Sequence, residues 1–289
     1  ANLFSYLSFV LSSKKNIPNS YLKILNEISY HLEPSFGNSN IFLAEIYSNE
    51  KNFRVALNKL DRIKKSSFMF LQSRIKKYKI FRIIDKKKSD LLLETMQARY
   101  PNHNEVLFLI ANNYRDQNKC NKAIKIYDKL IDVSVNKDNF YYLKAICLDK
   151  LNKWKASKKI LVELIHRNPE DAYVLNYLSY SMAIRNEDLI HAKKLVTKAL
   201  EIEKNNGFFL DTLGWIQFKL NDVDKAIISI QQAIELEPNN SEIIDHLGDI
   251  YFKTGRKKEA IYEWNRALNG NADNKLKREI RSKLIKYNK

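Results

Sequence analysis

Glycine, proline and cysteine are scarce in this chain: six, five and two copies among 289 residues. Ordinary globular domains carry about 7% glycine and 5% proline, so the shortage disfavours β-rich or linker-rich arrangements and leaves helix as the main element. Cys120 and Cys147 make neither a disulfide framework nor a zinc ligand set, and they leave the redox compartment open. Apolar runs of about 18 residues are missing too, so no segment reads as a transmembrane helix. The opening stretch ANLFSYLSFVLSSKKN has no basic residues ahead of its apolar run and fits a packed helix better than a signal peptide. No glycine-rich loop that could cradle a phosphate is present. His31, His103, His166 and His191 pair by sequence with no nucleophile or second base, so neither an enzyme nor a cofactor site is expected. Glu242, Asp245, His246 and Asp249 have a spacing that could face a metal ion, but no further His or Cys is placed to complete a shell.

What the chain does have is repetition. Residues 207–240, GFFLDTLGWIQFKLNDVDKAIISIQQAIELEPNN, and 241–274, SEIIDHLGDIYFKTGRKKEAIYEWNRALNGNADN, are two copies of one 34-residue unit. The first half of each places Leu210, Leu213 and Gly214, or Ile244, Leu247 and Gly248, at unit positions 4, 7 and 8. The second half answers at positions 20, 24 and 27 with Ala226, Ile230 and Ala233, or Ala260, Trp264 and Ala267. Both sets have helical spacing, so each helix owns one apolar stripe. Small residues at positions 8 and 20 let the two helices approach closely. The short turns at Asn221-Asp222 and Gly255-Arg256 make them an antiparallel hairpin.

Prolines carry the register upstream. Pro34, Pro101, Pro169 and Pro238 are 67, 68 and 69 residues apart, each close to two units, and each falls near position 32. Regular units are expected at 104–137, 138–171, 172–206, 207–240 and 241–274, the third with one extra residue around Asn186 to Leu189. Residues 1–103 read as degenerate repeats. Helices near 3–13 and 19–32 would oppose Phe4, Leu7, Val10 and Leu11 to Leu22, Leu25, Ile28 and Leu32. The unit ending at Pro101 is the poorest: Lys77 stands where a small residue is expected, and its second helix is read from Ser89 to Arg99. Residues 275–289, with Leu276, Ile280 and Leu284 at i, i+4, i+8, read as a basic capping helix over the last hydrophobic face. The expected fold is all-α: about eight antiparallel hairpins and a C-terminal cap in one continuous array.

The formal charge of +17 is unevenly spread. Residues 51–88 hold fourteen Lys and Arg against Asp61 and Asp85, whereas 207–274 hold seven basic and eleven acidic residues. Lys76, Lys77, Lys79, Lys86, Lys87 and Lys88 lie among Phe68, Phe70, Tyr78 and Phe81, a pattern that could bind an anion: nucleic acid, or an anionic membrane surface. Solvated helix faces are the simpler explanation.

Spacing, small residues and terminal proline together resemble the tetratricopeptide repeat. The stretches NYLSYSMAIRNEDLIHAKKLV, DTLGW and DHLGDIYFKTGRKKEAIYEW are also similar to the C-terminal half of tetratricopeptide proteins of alphaproteobacteria and of related envelope lipoproteins. The first resemblance implies a right-handed superhelical solenoid in which positions 2, 5, 9 and 12 of each first helix face a concave groove. Those positions include Tyr173 and Phe208; Phe108, Tyr142, Asn176, Asp211 and Asp245; Asn112, Tyr180, Trp215 and Asp249; Phe218 and Phe252. The implied role is a non-catalytic scaffold that binds a protein or peptide, as an extended segment or a helix. An acidic chaperone tail is excluded, because the relatives that hold one use Lys at position 5 with Asn at position 9. Apolar and basic side chains suit this groove better. Trp215 and Phe218 replaced by Ala are expected to weaken a partner without much loss of thermal stability. By resemblance the protein is bacterial and sits in or near the envelope, the alternative being the cytoplasm, and the sequence is expected to be the C-terminal portion of a larger protein.

Overall fold

Each hairpin is built from local devices that recur at the repeat spacing. The computed structural model describes residues 1–14 and 17–287, Asn19 by its backbone only. Among these residues there are seventeen α-helices and no strands. The chain divides into two units, Ala1–Ser134 and Val135–Lys289. The first contains α1 (Asn2–Ser12), α2 (Asn19–Leu32), α3 (Gly37–Asn49), α4 (Phe53–Asp61), α5 (Phe70–Ile84), α6 (Lys86–Arg99), α7 (Asn104–Asp116) and α8 (Cys120–Val133). The second contains α9 (Asp138–Lys150), α10 (Trp154–Arg167), α11 (Ala172–Ile184), α12 (Leu189–Ile202), α13 (Gly207–Lys219), α14 (Val223–Leu236), α15 (Ser241–Lys253), α16 (Lys257–Leu268) and α17 (Asn274–Tyr287).

Helices end where the chain makes them end. Helices α2, α6, α10 and α14 each stop two residues before Pro34, Pro101, Pro169 or Pro238, because proline excludes helical backbone from the residue before it. In six hairpins the turn passes through a left-handed residue, Lys51, Asn118, Asn152, Asn186, Asn221 or Gly255, and the turn of Asn186 has a second in Asp188. Asn and Gly tolerate that conformation best. The next N–H then bonds five residues back, as in Asn152-Lys153, where Lys153 donates to the Leu148 carbonyl at 2.9 Å, and in Asn221-Asp222, where Asp222 donates to Gln217 at 2.9 Å. Three of the first helices, α11, α13 and α15, start on a side-chain cap. Asp171 accepts from the Val174 N–H, Asn206 from Phe208 and Phe209, and Asn240 from Glu242 and Ile243. A cap of this type contributes about 1 kcal/mol.

Small residues decide how closely the helices of a hairpin pack. Ala123, Ser157, Ala192, Ala226 and Ala260 are fully buried. A Cβ on Gly214 would lie 2.5 Å from Ile230 Cγ1, and one on Gly248 would lie 2.5 Å from Trp264 Cδ1. In the second unit the first helices also bury a second stripe, Phe209 and Ile216 on α13 and Ile243 and Ile250 on α15. Each such side chain contributes about 1.5–3 kcal/mol on burial.

Two expectations for the first unit are corrected. Helix α6 begins at Lys86 rather than Ser89, because Asp85 caps it by accepting from the Lys88 N–H. Between α1 and α2 the contact is made largely by polar residues: Ser5 and Ser8 are buried, Asn26 Nδ2 donates to Ser8 Oγ at 2.6 Å, and Leu7, Ile28 and Leu32 are exposed. Leu22 and Leu25 do bury. Lys77, out of place by sequence, is buried and ion-paired with Asp61.

Candidate functional site

In the second unit, α9, α11, α13 and α15 are the first helices of successive repeats, and most of their expected groove residues meet a neighbouring repeat. Tyr142 rests edge-on against Tyr177, with ring centroids 5.8 Å apart. Trp215 stacks on His246 at 4.7 Å, meets Phe218 at 5.6 Å, and packs against the hydrophobic clusters on both sides of it. Phe252 lies 4.0 Å from Tyr287 and 5.5 Å from Trp264.

The acids are taken up in the same way. His246 Nδ1 bonds both oxygens of Asp211, at 2.8 and 3.1 Å. From α17, Lys283 Nζ donates to both oxygens of Asp245 and both of Asp249 at 2.7 to 2.9 Å. Trp264 Nε1 adds a bond to Asp249 at 3.1 Å. Asp149 accepts from Tyr177, Ser181 and Arg185. Burial by itself would lower the His246 pKa, but the charge and hydrogen bond of Asp211, followed by Glu242 and Asp245, raise it to about 9. The ring is therefore an imidazolium at neutral pH, and its Nδ1–H donates. Burial, then the neighbouring Asp249, pushes the Asp245 carboxyl up, with Lys283 opposing.

Tyr173 and Phe208 are different. They are 56% and 52% exposed, and they occupy the same register position, the second residue of α11 and of α13. Tyr173 is braced edge-on by Phe209 at 5.5 Å, which leaves its outer face open. Further along α11, Asn176 is half-buried and its Oδ1 has no hydrogen-bond partner among the described residues. Burial, followed by the charges of Glu242, Asp211 and Asp149, pushes the Tyr180 phenol up.

In the first unit, Phe108 is half-buried on α7, and Asn112 Oδ1 accepts from the Tyr127 hydroxyl at 2.8 Å. The basic segment is partly neutralised: Lys76 pairs with Glu45, Lys77 with Asp61, Lys88 with Asp85 and Arg82 with Asp116. Lys79, Lys86 and Lys87 are exposed. Sequence reasoning missed an apolar cavity of about 880 Å³ between α1 and α3, where Leu3, Tyr6 and Phe9 are exposed. The only signal was the hydrophobicity of α1, which was assigned to its hairpin. Among the described residues no three His, Cys, Asp or Glu side chains are grouped to hold a metal ion, and no helix is long and apolar enough to cross a membrane.

The repeating hairpin, its left-handed turn and its small-residue contact have a counterpart among known families. Models described as tetratricopeptide repeat match residues 207–240 and 105–133. The chain contains tetratricopeptide repeats. A TPR repeat-containing protein of Pseudomonas aeruginosa is 28% identical over 142 residues; the match covers 47% of this chain and 24% of the relative, so the chain spans about a quarter of that protein's length. A tetratricopeptide repeat protein from Parabacteroides merdae superposes with a TM-score of 0.68 over 84% of this chain and 96% of its own, at 11% identity. A thermophilic TPR protein of Thermus thermophilus gives 0.58 over 63% of this chain and 100% of its own, at 21% identity. These likenesses show the fold. Tetratricopeptide repeats generally mediate protein–protein interaction and are typically non-catalytic scaffolds. The likeness to alphaproteobacterial tetratricopeptide proteins rests on the residues alone.

Proposed function

We propose that this protein is a non-catalytic scaffold, and that the face formed by α11, α13 and α15 binds a segment of a partner protein. The observation that carries the reading is the pair Tyr173 and Phe208: large rings, more than half exposed, at one register position of two successive helices. Exposed aromatics of this kind serve as anchors in binding patches. Trp215, Phe218 and Phe252 shape the same surface while packing against their own chain. Asp211, Asp245 and Asp249 carry internal cations, which leaves an incoming carboxylate no free positive partner there.

Selection of binders from a displayed random-peptide library tests this. Peptides enriched on the wild-type chain should lose most of their binding to the Tyr173→Ala/Phe208→Ala double variant, whose melting temperature should be nearly unchanged. Enriched peptides that bind both chains equally would place the binding face elsewhere. Binding through the basic segment 51–88 is the weaker alternative, since five of its cations, Lys59 among them, already have carboxylate partners.

A further inference from the structure

The second residues of α11, α13 and α15 are Tyr173, Phe208 and Glu242, and all three are exposed. The residues on either side of each, Ala172 and Val174, Gly207 and Phe209, Ser241 and Ile243, are buried. Toward the middle of each helix the row is closed off, since Asn176 and Tyr177, Asp211 and Thr212, and Asp245 and His246 are buried or half-buried. An α-helix, about 10–12 Å across, would rest on more than such a strip. An extended chain would not.

Glu242 ends the row at a cavity of about 410 Å³ between the starts of α15 and α17. Asn240, Asn271, Asp273, Glu279 and Lys275 complete the part of its lining that carries polar groups. Three carboxylates thus face one ammonium, and that ammonium pairs with Glu279 at 3.8 Å. Asp273 is engaged by the N–H groups of Lys275 and Leu276, and no cation among the described residues pairs with Glu242. Between Asn240 and Glu242, the Ser241 hydroxyl is fully buried against Gly270 and does not line the cavity. Further along α15, Asp245 and Asp249 share the one charge of Lys283, and Asp211 on α13 is balanced by the His246 imidazolium. The lining of the cavity itself holds more carboxylates than cations, and Glu242 is its unpaired member among the described residues.

We infer that this cavity seats a lysine or arginine side chain of an extended partner segment, whose apolar side chains three and six residues away lie on Phe208 and Tyr173. The inference rests on the binding face proposed above and adds the spacing and charge of its ligand. The spacing follows from geometry: packed helices lie roughly 8–10 Å apart. A polyproline-type chain advances about 9 Å in three residues and turns the same side outward. Same-side residues of a β-strand are only about 7 Å apart, too close for the row. Such a segment needs no acidic group.

The test is fluorescence anisotropy at low salt with labelled decapeptides carrying two leucines and a lysine at three-residue spacing, made in both chain directions. One of the two should bind the wild-type chain. Replacing its lysine by glutamate should weaken binding at least tenfold, and moving the lysine one residue inward should weaken it at least fivefold. Glu242→Lys should reverse the preference and bind the glutamate peptide better than the lysine one. Equal binding at both spacings, or no reversal with Glu242→Lys, overturns the inference. If that binding still falls with Phe208→Ala, the face itself stands. Failure of both decapeptides to bind also overturns the inference, and the library selection then decides the face independently.

Discussion

His246 and Asp211 join α15 to α13, and the pH dependence of that joint can be worked out. The folded-state pKa of His246 is about 9, against 6.5 for a free imidazole. At about 1.4 kcal/mol per pKa unit, the pair favours the folded chain by about 3 kcal/mol while the ring stays protonated. The folded value lies above the unfolded one, so this stabilisation is complete below pH 6.5 and is lost as pH rises through about 9. The charged groups facing the ring are Asp211 from α13 and Glu242 and Asp245 from its own helix, and Trp215 covers its face. The perturbation is Asp211→Asn, which keeps the shape and removes the charge. Urea unfolding of both chains should give a stability difference that is largest at pH 6 and smaller by about 3 kcal/mol at pH 10. Other titrations cancel in the difference. With His246→Gln in both chains, the difference made by Asp211→Asn should no longer depend on pH between 6 and 10. A difference that is the same at pH 6 and pH 10 would refute the assignment of the charge to this pair.

Gly248→Ala should destabilise by about 1–3 kcal/mol in thermal unfolding, because the new methyl meets a Trp264 ring that is buried and held by its bond to Asp249. The usual gain from removing a helical glycine is about 1 kcal/mol and is outweighed. Lys283→Met should cost roughly 2 kcal/mol, a discount on fully buried pairs for its partial exposure, and Asp249→Asn in the same chain should recover part of it. Trp215→Ala should lower the melting temperature clearly, contrary to the expectation from sequence, since truncating a ring packed into two clusters costs about 3 kcal/mol or more. Neutralising exposed Lys86 and Lys87 should change stability by no more than about 0.5 kcal/mol in the same assay.

Much of the fold was legible by counting, since each hairpin is specified locally. The helix ends at the prolines, the close contacts at Ala226 and Gly214, and the turns at Asn221 and Gly255 all depend on residues within one unit. The same counting erred where a helix departs from the repeat's chemistry: in the α1–α2 hairpin, where Ser8 and Asn26 meet inside while Leu7, Ile28 and Leu32 stay exposed, and in α6, where Asp85 sets the start. For the binding face, register alone marked out a set of candidates, among them Tyr173 and Phe208. It could not separate an exposed ring from one packed on the next repeat.

That separation depends on stacking. Periodicity and turn chemistry act over one to five residues, and they determined that this chain is a series of helical hairpins. The partners of Asp211, Asp245 and Asp249 lie 34 to 38 residues further on, in His246 and Lys283. A charge and its counter-ion that far apart meet only when one repeat is laid against the next. Only the tertiary structure decided that these acids find internal cations while Glu242 is left without one among the described residues.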